Sequence, residues 1–176
     1  MEWLNVSMTG LLGKCHPVMD NITTARDVMK LRPALKMLAG DYYTGAVKAK
    51  QCSVSSECKL CQDPVEDLTH VLCHCPSFSE SRQRILGELA HLLSETSDGK
   101  SGKILGRETV DNLFSEKKTS TQFILDCTSY NLPNTYRHST VDPKVRKIFV
   151  LTRDLCFTIH TTRINLLRKL KNQTSK

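Results

Sequence analysis

Apolar residues recur at helical spacing near the end of this 176-residue chain: Val145, Ile148, Phe149, Leu155, Cys156, Ile159, Ile164, Leu167 and Leu170. Steps of three and four gather them on one side of a helix. Asp142 followed by Pro143 offers a capping side chain and then a proline in the first turn, where its missing N–H is no loss. The pattern predicts one amphipathic helix of about 28 residues, some 40 Å long. A second strong signal is Ser77-Phe-Ser-Glu80, a capping box, followed by Ile85, Leu86, Leu89, Leu92 and Leu93.

Elsewhere the pattern is weaker. Gly10, Gly13 and His16-Pro17 predict a loop at the start. Thr23 or Thr24 can cap a short helix through Ala25, Val28 and Met29, and Pro33 then falls where a second helix through Leu35 and Leu38 to Gly40 could begin. Residues 45–57 are small and polar and read as a connector. Residues 96–102 are a polar linker, residues 110–114 and 121–127 predict short helices, and residues 131–140 read as loop. With no internal repeat, the fold class expected is mainly α: a small zinc-knuckle segment flanked by helices, with a long basic amphipathic C-terminal helix. The segments expected are 1–51 (N-terminal helical and linker), 52–95 (zinc-binding segment and following helix), 96–140 (linker and short helices) and 141–176 (long basic helix).

Charge sharpens the picture of that last segment. Residues 1–142 hold 16 Lys/Arg against 17 Asp/Glu, whereas residues 143–176 hold 9 Lys/Arg against Asp154 alone. The net excess of +7 therefore sits at the C-terminal end, and a concentrated basic segment favours polyanions, nucleic acid above all. No apolar run approaches the length of a membrane span.

The chemistry lies in residues 58–75. Cys58-Lys-Leu-Cys61, His70 and Cys75 form a C-x2-C-x8-H-x4-C array. Thiolates and an imidazole suit Zn²⁺, and four protein ligands leave no place for an activated water, so one structural zinc is expected. Cys73, His74 and Cys75 are all within reach of the fourth place, and a helical His70-x3-His74 would put both imidazoles on one face. Asp63, Glu66 and Asp67 could support the imidazole, but read more simply as solvated charges. Cys52 reads as a spare thiol, Cys127 and Cys156 as small hydrophobes, and His16, His91, His138 and His160 as isolated histidines. The opening Met-Glu-Trp-Leu-Asn has no secretory pattern, so reduced thiols and an intracellular place, nucleus or cytoplasm, are expected.

Cys58-x-Leu-Cys61, Val65-Glu-Asp-Leu68, His70-Val-Leu72 and Cys75-Pro76 resemble the zinc-binding segment downstream of the reverse transcriptase in non-LTR (LINE-type) retrotransposons, in which an Arg-bearing helix follows, as Arg82 and Arg84 do here. Leu4-Asn5 with residues 13–17, residues 121–126 and residues 153–160 resemble its flanks. The resemblance favours Cys75 as fourth ligand. It implies the C-terminal piece of a mobile-element polyprotein, or an open reading frame left by one, that helps a polymerase hold template RNA or target DNA. No Tyr/Phe-x-Asp-Asp pair is present; Gly40-Asp-Tyr-Tyr43 lacks the second acid, so no polymerase activity is expected. Endonuclease and ribonuclease H carboxylate clusters are not recognisable either. The function expected is a non-catalytic, zinc-dependent nucleic-acid-binding module. Arg163, Arg168, Lys169 and Lys171 would meet phosphates, and bases would stack on Trp3, Tyr42, Tyr43 or Phe78. The alternatives are a zinc-stabilised protein-interaction module docking through its last helix, with a reverse transcriptase domain as one partner, or a nonfunctional remnant.

Overall fold

A computed structural model of the chain describes residues 19, 22–94, 115–127 and 143–174. Among these residues every regular element is helical, with a Cys/His cluster flanked by helices and a long helix at the C-terminal end, as the sequence leads one to expect. The expected loops at residues 10–17 and 131–140, the linker at 96–102 and the short helix at 110–114 lie outside the described residues.

Helix α1 (Ala25–Leu38) is one element, where two were expected. Thr24 caps it reciprocally with Asp27: the Asp27 N–H donates to Thr24 Oγ1 at 3.2 Å, and the Thr24 N–H donates to Asp27 Oδ2 at 3.0 Å. Pro33 sits inside the helix and cannot donate to the carbonyl of residue 29. Burial outweighs that loss, because Leu31, Pro33, Ala34 and Met37 form the face that packs against the C-terminal helix. Gly40 ends α1 at φ 72°, with the Gly40 N–H donating to Met37 O and the Asp41 N–H to Lys36 O, the Schellman pairing that glycine permits at this position.

Helix α2 (Gly45–Cys52) occupies part of the stretch expected to be a connector. Its eight residues carry only a faint apolar stripe, and tertiary contacts hold it. The Gly45 N–H donates to Glu66 Oε2 at 2.6 Å and the Ala46 N–H to Glu66 O at 2.9 Å, so a residue from the loop between Cys61 and His70 satisfies two orphan amides of its first turn.

After a short 3-10 turn (Pro76–Phe78), α3 (Ser79–Ser94) buries Ile85, Leu89, Leu92 and Leu93. Helix α4 (Lys117–Leu125) adds Phe123, Ile124 and Leu125 to the same core. Helix α5 (Pro143–Thr174) is 32 residues long, so it spans about 48 Å. It packs along α1 and α3 and inserts Ile148, Phe149, Leu155, Cys156 and Ile159 between them. Farther along, Ile164 and Leu167 are half-buried and Leu170 is 37% exposed, so the apolar stripe outlasts the core it serves. No described helix is long and apolar enough to cross a membrane.

Candidate metal centre

Cys58, Cys61, His70 and Cys75 converge, each offering one ligand atom, and these atoms all lie within 4.8 Å of one another. The first pair comes from a tight knuckle. The Cys58 N–H donates to Asp63 O and the Gln62 N–H donates back to Cys58 O, both at 2.8 Å, while Gln62 takes φ 64° to turn the chain. Backbone N–H groups of Leu60 and Cys61 are directed at the Cys58 sulfur, and the Ser77 N–H and hydroxyl at that of Cys75. Burial nevertheless dominates: it pushes the Cys58 thiol up to about 12 and raises that of Cys75. Such thiols stay protonated near neutral pH unless a cation takes the proton's place.

The second pair comes from an uncommon turn. Residues His70–His74 form a single π-helical turn closed by the Cys75 N–H donating to His70 O at 2.8 Å. A π turn aligns residue i with i+5 where an α turn aligns it with i+4. Cys75 is thereby brought back over His70. Its sulfur lies 3.9 Å from Cys58 Sγ and 3.8 Å from Cys61 Sγ, while His70 Nε2 lies 3.4 Å from Cys61 Sγ. The alternatives for the fourth place point elsewhere. His74 is exposed with its ring stacked 6.3 Å from that of His70, and Cys73 Sγ lies 3.3 Å from Thr121 Oγ1 on α4.

The neighbouring carboxylates need correction. Asp63 and Asp67 are exposed, yet Asp63 Oδ2 lies 3.5 Å from His70 Nδ1, on the ring edge away from the sulfurs, and Asp67 Oδ1 accepts from the His70 N–H at 2.6 Å. The Asp63 contact orients the imidazole, while the Asp67 contact fixes the His70 backbone. Glu66 is not a solvated charge at all: it is 4% exposed. Arg163, expected to meet phosphates, is its partner and is 7% exposed. The Arg163 Nε donates to Glu66 Oε1 at 3.0 Å and Nη2 to Oε2 at 2.8 Å. Burial works to lower the Arg163 pKa, but Glu66 outweighs it and the guanidinium ends above its usual value. Arg163 also lies over the ring of buried Tyr42, whose hydroxyl meets His160 Nδ1 at 3.2 Å. Cys58 Sγ is 3.8 Å from Glu66 Oε1, so one chain of contacts joins the ligand cluster to α5.

A sequence signal for this pair existed. Arg163 follows Cys156 and Ile159 at helical spacing on the buried side of α5, where a cation needs a partner. Arg82, singled out only by family resemblance, donates from Nη1 to Leu72 O at 3.2 Å and from Nη2 to Cys75 O at 2.8 Å, holding the backbone of the ligand turn from α3. Of the other residues expected to bind phosphates, Arg168, Lys169 and Lys171 are exposed at the far end of α5. Of the expected stacking aromatics, Tyr42 and Phe78 are buried, Tyr43 is exposed, and Trp3 lies outside the described residues.

Gly45 marks the tightest approach near the centre. A Cβ there would lie 2.7 Å from Ser56 O and 3.0 Å from Glu66 Cβ. Gly45→Ala should therefore cost about 1–3 kcal/mol through backbone displacement, read as a lowered urea midpoint; an unchanged midpoint would mean that this approach is looser than described.

The four side chains could hold a metal ion. Compared with protein-family models, curated proteins and solved structures, the chain matches none.

Proposed function

We propose that the protein is a non-catalytic nucleic-acid-binding module whose ligand loop is fixed by one structural Zn²⁺ on Cys58, Cys61, His70 and Cys75. The carrying observation is the shape of that quartet. Zinc–sulfur bonds of about 2.3 Å in a tetrahedron require sulfur–sulfur edges of about 3.8 Å. The cluster has such edges at 3.9 and 3.8 Å. A disulfide, at about 2.05 Å, would need the sulfurs much closer. Three thiols and an imidazole select zinc over hard cations, and with all four corners filled by protein the metal acts as a cross-link. Reduced thiols fit an intracellular place.

The nucleic-acid part of the reading rests on Arg168, Lys169 and Lys171, exposed beyond the core on α5, and on the resemblance to the retrotransposon tail. Phosphate contacts give affinity without sequence readout. Titrating labelled single-stranded RNA at several salt concentrations tests this. Replacing all three by alanine should flatten the log–log salt dependence by about 2, from about 0.7 per cation. Absence of binding at low salt would favour the alternative, a protein-interaction module docking through the exposed end of the α5 stripe at Leu170.

A further inference from the structure

A groove of about 660 Å³ opens between α2, the knuckle and α5, on the side of the ligand loop where Glu66 and Arg163 form the floor. Tyr43 lies on its wall, 48% exposed, although the neighbouring Tyr42 is buried. The Tyr43 hydroxyl lies 3.9 Å from Cys52 Sγ and Lys48 Nζ stands 5.0 Å from the ring centroid, so the ring is steadied at its rim and keeps positive charge at its face. Lys48 and Lys59 both line the groove. Of its two carboxylates, Glu66 is neutralised by Arg163, which leaves Glu57 against the lysines. Leu167 closes the far wall, and Lys171, one helical turn beyond it, carries the same side of α5 onward with a further cation.

We infer that this groove takes one nucleotide of a single-stranded nucleic acid, with the base stacked on Tyr43 and the flanking phosphates on Lys48 and Lys59. The inference rests on the nucleic-acid reading above and specifies where the strand lies and that it is single. Three features select this occupant. An accessible aromatic beside basic residues is the common platform for unpaired bases, because every base has a π-face while a duplex hides it. The volume falls within the range of small-ligand sites. The charge along the groove is complementary to a phosphate backbone, which runs out along α5 towards Lys171.

The test uses the full chain loaded with zinc and two fluorescein-labelled probes at low salt, a 20-nucleotide single-stranded RNA and a duplex of the same length. Tyr43→Ala should weaken single-strand binding about tenfold or more while leaving duplex binding unchanged, and Tyr43→Phe should restore the wild-type affinity. Lys48→Ala with Lys59→Ala should weaken the single strand and reduce its salt slope by about 1.4. Helicity and zinc content, measured on each variant, separate lost contact from lost fold; Tyr43 is exposed enough for both to be retained. If wild type binds the single strand and Tyr43→Ala binds it equally well, the groove assignment is overturned and the nucleic-acid reading stands. If wild type binds neither probe, both are overturned.

Discussion

Removing the proposed zinc should unfold the loop that carries Cys58, Cys61, His70 and Cys75. With a chelator present, or with Cys58→Ser and Cys61→Ser combined, backbone amides of residues 56–78 should exchange within seconds, and a protease should cut there. The metal-loaded protein should protect them. Structural zinc contributes on the order of 10 kcal/mol in small modules of this kind, more than the whole stability of many domains. Without it, the loop holds three thiols, two of them with raised pKa, and an imidazole, turned towards one another. Val71 and Leu72 are buried in the turn that carries His70, and Phe78 in the 3-10 turn that follows Cys75. Because each bound thiolate must lose a proton, metal affinity should fall as the pH falls. Cys52→Ser, Cys73→Ser and His74→Ala should leave one zinc per chain, measured by mass spectrometry under native conditions. Loss of zinc from either of the last two would move the fourth ligand away from Cys75. A loop that stays protected after chelation would remove the metal from the account of the fold.

Breaking the Glu66–Arg163 pair will cost nearly as much as a core truncation. Arg163→Ala leaves a carboxylate 4% exposed without its counter-ion, and such an orphaned buried charge typically costs about 3–5 kcal/mol. Urea denaturation of the zinc-loaded protein should show a correspondingly lower midpoint. Glu66→Gln combined with Arg163→Met should recover much of the loss, since the neutral amide can still accept from the Gly45 N–H and no charge is left buried. Arg168→Ala, on the exposed end of the same helix, should stay within about 0.5 kcal/mol of wild type. Equal effects from the two arginine substitutions would mean that Arg163 is not buried in solution.

These two arginines mark the boundary between what could and could not be read in the sequence. The long helix, the helix Ser79–Ser94 and the convergence of Cys58, Cys61, His70 and Cys75 were legible because each depends on spacing within a short stretch. Arg163 lies at helical spacing from Cys156 and Ile159, which hints that it is buried, but its partner is a glutamate 97 residues away that no local pattern points to. Helix α2 was missed for a related reason: Thr44 caps it locally, accepting from the Val47 N–H, but two of its first amides are satisfied by Glu66 and its own side chains carry only a faint pattern. Pro33 suggested a break because local propensity says so, and packing against α5 overrode it. The choice between His74 and Cys75 turned on whether residues 70–74 wind as an α or a π turn, which side-chain periodicity over five residues cannot decide.

The distance between Glu66 and Arg163 along the chain also sets an order of events in synthesis. At 5–20 residues per second, residue 163 is made about 5–20 s after residue 66, whereas Cys75, which completes the ligand set, follows within about 2 s. On the proposed function, a nascent chain can therefore take up zinc while Glu66 is still hydrated and has no Arg163 to pair with. A ribosome stalled in between would present a chain with the loop of residues 58–75 made and Glu66 still unpaired, and on the proposed function such a chain should retain zinc yet lack the protected core of the finished protein.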